Sequence, residues 1–156
     1  MSMRIYTVTG IGFILFNGEN GKDIVNFIRN HKNSLYNVYQ LKTAEKILSA
    51  VEEIDLNFDD DEVMNALDEI FDFHTSETIA NIINHEQEII GVCGNNSCGD
   101  TDVEENILYE PGYPWQMTEK EKTLSREDIE EILMSYAKEL GVNPKTVDEL
   151  ELEYCG

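Results

Sequence analysis

Apolar positions recur along this chain with two different periods, and the switches between them divide it into elements. Residues 3–16, "MRIYTVTGIGFILF", are rich in Ile, Val, Thr and aromatics and predict a strand, with Gly10 and Gly12 marking a bend or bulge. "NGENG" follows as a turn. From about Lys22 the period becomes helical: Ile24, Phe27 and Ile28 share one face of a helix that runs to His31, with Asn20 near its cap. A second helix starts at Thr43 and turns Ala44, Ile47, Leu48 and Val51 inward. A third opens on Asp59, Asp60, Asp61 and Glu62 and carries Val63, Met64, Leu67, Ile70 and Phe71 as its buried stripe. Acids suit the positive end of a helix dipole, although one or two are enough. A fourth helix follows a Thr75 or Ser76 cap, with Ile79, Ile82 and Ile83 inward.

The period then changes again. "EIIGVC" and "NILYE" predict strands on either side of an unusually long hairpin loop, "GVCGNNSCGD". "PGYPWQM" is a stiff connector. Ser125 and Asp128 form a capping-box pattern with Asp in place of Glu. The helix they open uses Ile129, Ile132, Leu133, Tyr136, Ala137 and Leu140, and Gly141 ends it. "DELELEY" alternates Leu and Tyr with acids, the pattern of a half-buried strand. The order β-αααα-β-β-α-β predicts a single α+β domain over residues 1–156, about five helices packed on a small, mostly antiparallel sheet.

Composition changes the picture through charge. The 156 residues fit one domain whose core needs no disulfide, and three cysteines are an awkward number for a disulfide framework. No run of about 18 apolar residues and no secretory leader is visible, so the expectation is a cytoplasmic protein with reduced thiols. The formal net charge is −21, far beyond the magnitude of about 2 to 8 that solubility asks of a small domain. Residues 1–46 hold six Lys or Arg against three Asp or Glu, whereas the remainder holds five against 29. Lys and Arg vanish between Lys46 and Lys120. Solvated helix faces ordinarily mix signs, because pairs four residues apart reward it. Direct binding to nucleic acid or anionic lipid is disfavoured, since the phosphate term is repulsive, and the natural complement is a basic surface.

Candidate chemistry is sparse. Cys93 and Cys98 in the glycine-rich turn, Cys155 near the C-terminus and His85 form a Cys3His set compatible with structural zinc, with His74 in reserve for His85. The alternative is that the thiols are small buried residues without a ligand. A zinc deaminase is excluded because neither its H-x-E nor its P-C-x-x-C pattern is present. "GENGKD" fails as a phosphate loop: Phe16 stands at the first glycine position and Asp23 where Ser or Thr would hold magnesium. Asp100, Asp102 and Glu104 begin like a calcium loop, but Glu105 and Pro111 occupy its glycine and bidentate-acid positions. A small metalloenzyme using the Cys/His cluster is the rival reading; a non-enzymatic binder is preferred.

The acidic stretches "EEIDLNFDDDE", "DTDVEEN" and "REDIEE" resemble, in composition, the small acidic inhibitors of bacterial defence nucleases, the anti-CRISPR and antirestriction proteins, and also immunity proteins that neutralise nuclease toxins. The resemblance implies an inhibitor that binds a basic surface of a nucleic-acid-processing enzyme in a bacterial host cell, as a DNA mimic or by docking on a regulatory lobe. It carries no family motif. Candidate contacts are Asp59, Asp60, Asp61, Glu62, Asp68 and Glu69, with Tyr113 and Trp115 as aromatic anchors. For the two aromatics the competing expectation is that they pack on the sheet.

Overall fold

A computed structural model describes residues 5–98 and 103–155 of the chain, with side chains placed for 9–94 and 105–151. Among the described residues it is an α+β domain with six α-helices and a four-stranded sheet. The strands are β1 (Ile5–Ile14), β2 (Val92–Cys98), β3 (Val103–Tyr109) and β4 (Asp148–Cys155), in the spatial order β2-β3-β1-β4, and every pair is antiparallel. The helices are α1 (Gly21–Asn30), α2 (Lys32–Val38), α3 (Leu41–Glu52), α4 (Asp60–Ile70), α5 (Thr75–Gln87) and α6 (Arg126–Glu139).

The sheet is rolled. Its two outer strands, β2 and β4, contact each other, whereas in a flat sheet three strand spacings would hold them about 14 Å apart. β1 makes the roll possible by dividing its length: residues 5–12 pair with β4, and residues 11–14 pair with β3. Gly10 and Gly12 sit where the two ladders meet. A Cβ at Gly10 would strike the Tyr109 carbonyl oxygen, and one at Gly12 would strike that of Ile107. The bend expected from these glycines is therefore a close passage of backbone against backbone.

Helices cover the sheet and build the core. α5 lies on β2 and β3, α6 on β1; α1 packs against α3 and α4, and α2 against α3 and α5. Phe13, Leu15, Ile24, Phe27, Ile28, Leu35, Ile79, Ile82, Ile83 and Ile107 are essentially solvent-free in one continuous cluster. The helical stripes read from the sequence bury as expected, with Ile47, Ile70 and Ile132 at the margins. Ser125 and Asp128 close a reciprocal capping box at the start of α6, and Gly141 follows its end at φ +75°.

Three expectations are corrected. Residues 32–38, which lie outside the five helices expected from the sequence, form α2, which buries Leu35 and Ser34. The stretch after Cys93 is strand as far as Cys98: backbone pairing with β3 overrides the turn composition of Gly94, Asn95, Asn96 and Ser97. Gly94 is required there because a Cβ would run into the Ser76 backbone at the start of α5. Finally, neither Thr75 nor Ser76 caps α5. His74 holds that position, and Thr75 and Ser76 are buried in the first turn. Among the described residues no helix is long and apolar enough to cross a membrane.

Candidate partner-binding surface

The acids that open α4 divide by task. Asp59 is the N-cap, its carboxylate accepting from the Glu62 N–H at 2.9 Å. Asp60 accepts from the Lys22 N–H at 3.1 Å, so it caps the neighbouring helix α1. Its backbone also passes so close to Gly21 that a Cβ there would strike the Asp60 carbonyl oxygen. Asp61 and Glu62 point into solvent. Two of the four acids are thus consumed by local structure and two are free for an external partner.

Further along α4, Glu69 is exposed, but Asp68 is half-buried and faces inward. The Thr75 hydroxyl donates to Asp68 Oδ1 at 3.0 Å, and the Asp68 carboxyl shares a hydrogen bond with Glu105 of β3. Glu105 also accepts from the Ser76 N–H at 3.3 Å. Burial, then the adjacent Asp68 charge, pushes the Glu105 pKa up to about 7; burial likewise raises Asp68. Below about pH 7 the Glu105 carboxyl keeps its proton and shares it in the hydrogen bond with Asp68. Asp68 therefore belongs to an internal hydrogen-bonded pair, not to the solvent face.

Glu62 and Glu69 border a groove of about 350 Å3 between α3 and α4. Its floor is apolar: Ala50 and Ile54 come from the α3 end, and Val63, Ala66 and Ile70 from α4. Glu53 and Asp55 complete the rim, and the Phe58 ring, 54% exposed, stands at its edge. Arg29 fixes the α3 end of this groove. Its guanidinium donates to the carbonyls of Val51 and Ile54 at 3.0 Å and of Glu52 at 3.3 Å, a cation placed where the last carbonyls of a helix lack partners. Among the described residues, none of Glu53, Asp55, Glu62 and Glu69 pairs with a Lys, Arg or His side chain.

Tyr113 and Trp115 do not pack on the sheet. They are 63% and 77% exposed and stack on each other, ring centroids 4.7 Å apart and planes within 2° of parallel. The connector that carries them is anchored by Glu121, only 3% exposed. Its carboxylate accepts from Tyr109 Oη at 2.9 Å, from the Gly91 N–H at 3.1 Å and from the Thr118 N–H at 3.2 Å. Nothing in the periodicity marks Glu121 as buried, because its role depends on the strand ends that surround it.

The expected zinc ligands are only partly visible. Cys93 is half-buried, and its thiol points toward the Gly91 carbonyl oxygen at 3.8 Å. Burial, with a lesser contribution from the Glu110 charge, pushes that thiol's pKa up. His85 is exposed in the last turn of α5 and lines a shallow groove with Asn84, Glu88 and Lys120. His74 is exposed beside Glu77. The side chains of Cys98 and Cys155 lie outside the described residues, as do Asp100 and Asp102. Among the described residues no group of three His, Cys, Asp or Glu could hold a metal ion.

One polar cluster was not foreseen. His31, at the α1–α2 junction, bridges Glu86 of α5 through Nδ1 and Glu139 of α6 through Nε2, both at 2.6 Å. Its ring stacks on Phe27 at 4.1 Å. The Tyr136 hydroxyl donates to Glu86 at 2.8 Å and accepts from Gln87 at 3.0 Å, and Ser34 also donates to Glu86. Burial pulls the His31 pKa down, but the two glutamates outweigh it and hold it above its ordinary value. The sequence carried one usable signal: His31 falls four residues after Phe27, on the same helical face.

No family model, curated protein or solved structure matches this chain.

Proposed function

We propose that this protein is a non-enzymatic acidic inhibitor that binds a basic surface of a nucleic-acid-processing enzyme in the bacterial cytoplasm, in the manner of an anti-CRISPR protein acting on a Cas nuclease or its access to DNA. The observation that carries this reading is the exposed α3–α4 face. Glu62 and Glu69 border it free of structural duty, Asp61 stands exposed in the first turn of α4, and no Lys or Arg lies between residues 46 and 120. Acids held on rigid helices keep their spacing, so little conformational entropy is lost on docking, and attraction to a positive cleft speeds encounter. The stacked Tyr113–Trp115 pair supplies a rigid aromatic contact of the kind that dominates interface energetics.

Zinc belongs to the same proposal as an architectural staple on Cys93, Cys98, Cys155 and His85. It is supported by the contact between β2 and β4, the two strands that carry the cysteines. Metal analysis of the purified chain is expected to find one zinc per molecule, and Cys98→Ser to lose it. Protein that contains no zinc and melts unchanged in chelator removes this part.

The main test is affinity capture from the native bacterium, followed by inhibition of the captured enzyme. Capture of a nuclease or related enzyme is expected, released by raising salt from about 0.1 M to 0.5 M. The triple variant Asp61→Lys, Glu62→Lys, Glu69→Lys should lose at least tenfold in affinity. Asp59 and Asp60 are left intact because their loss would perturb α4 and α1. Capture that neither salt nor the triple variant weakens ends the electrostatic reading.

A further inference from the structure

We infer that the α3–α4 groove seats one basic, amphipathic segment of the protein partner, with an apolar side chain on the groove floor and flanking Lys or Arg residues on its rim. This rests on the acidic-inhibitor reading and specifies how its surface is used. A purely electrostatic face would need no apolar floor, yet here Ile54, Ala66 and Ile70 remain partly exposed between carboxylates. On α4 the order Glu62, Ala66, Glu69, Ile70 follows one helical stripe, so charge and apolar surface alternate along a single line. Glu53 and Asp55 repeat that arrangement from the α3 side.

The dimensions favour a short segment. α4 has 11 residues, about 16 Å of helix, which matches roughly three turns of a docked helix and is short for an extended nucleic-acid-like track. The rim selects the charge of the occupant. Its four acids have no cationic partner among the described residues, so a phosphate backbone or an anionic vesicle is repelled. A second copy of the chain carries the same net charge of −21 and is repelled likewise. A Lys or Arg on each side of a Leu, Met or Phe satisfies both components, the cations snorkelling outward while their stems cover Phe58.

The test uses the full chain and two labelled 14-residue helix-forming peptides in fluorescence anisotropy. One carries Leu on one face and Lys on the other; the second has the same charge with Ala in place of every Leu. The Leu/Lys peptide is expected to bind at least tenfold tighter than the Ala/Lys peptide. Ala66→Trp fills the groove without changing charge and should abolish that preference. Phe58→Ser, a surface change that leaves the core intact, should reduce the preference several-fold and serves if Ala66→Trp fails to fold. The pair Glu62→Gln and Glu69→Gln should weaken both peptides and lower the salt dependence. If Leu and Ala peptides bind alike, or if Ala66→Trp and Phe58→Ser leave the preference intact, the groove proposal is overturned. The acidic reading then survives provided the Gln variants still weaken binding. If the Gln variants also change nothing, both are overturned, and absence of binding by either peptide overturns the groove proposal alone.

Discussion

His31 joins α5 and α6 to the α1–α2 junction through two carboxylates, and the bridge is strongest when the imidazole is charged. A folded-state pKa raised above the ordinary value contributes stability that is fully present below pH 6.5 and is lost as pH rises through the raised value. Glu86, held below its ordinary pKa because Ser34, His31 and Tyr136 outweigh the effect of burial, contributes in the opposite window and loses its share only in acid. Substituting His31→Ala removes two charge-assisted bonds and leaves Glu86 and Glu139 facing each other, at a cost of about 2 kcal/mol near pH 6. The thermal midpoint should fall by roughly 4–8 °C there and by less at pH 9. Equal losses at both values would exclude the charged bridge. Glu105 behaves differently. Its raised pKa makes the shared proton stabilising at low pH, with the benefit fading between about 4.5 and 7. Glu105→Gln keeps an acceptor for the Ser76 N–H and gives Asp68 a permanent donor. It should therefore raise stability at pH 8 by on the order of 1 kcal/mol and have little effect at pH 4.5, read by denaturant titration at the two values.

At the scale of elements, the sequence was most legible where burial alone decides structure. The stripes of α1, α3, α4, α5 and α6 express one-sided contact with a core, which periodicity records directly, and the Ser125 capping box is local hydrogen bonding fixed by residues three apart. The errors lie where a neighbour decides. α2 is seven residues with few apolar positions, too short to show a period, and it exists because Leu35 finds a place against α5 and α3. The Gly94–Ser97 stretch is strand because β3 supplies hydrogen bonds along it, and a search for turn residues cannot see a partner strand. The acid run before α4 looked uniform, although Asp59 caps its own helix and Asp60 caps another. Only the three-dimensional arrangement separates these structural carboxylates from Asp61, Glu62 and Glu69. The same holds for Asp68, whose partner Glu105 is 37 residues away.

For the whole molecule, charge is the quantity that function and stability share. A net charge of −21 on a domain of this size repels itself, so added salt should stabilise the fold by screening before any specific effect appears. The thermal midpoint is expected to rise by several degrees between 10 and 300 mM sodium chloride, while partner affinity falls over the same range. A midpoint that is flat in salt would mean that the acids are neutralised locally. Trp115 offers a way to watch both. It is the chain's sole indole, it stands in water and it lies flat against Tyr113. Its emission should be red-shifted in the isolated protein, readily quenched by neutral acrylamide and shielded from iodide by the surrounding negative field. Docking that covers the aromatic pair would then report itself as a blue shift, with no dye attached.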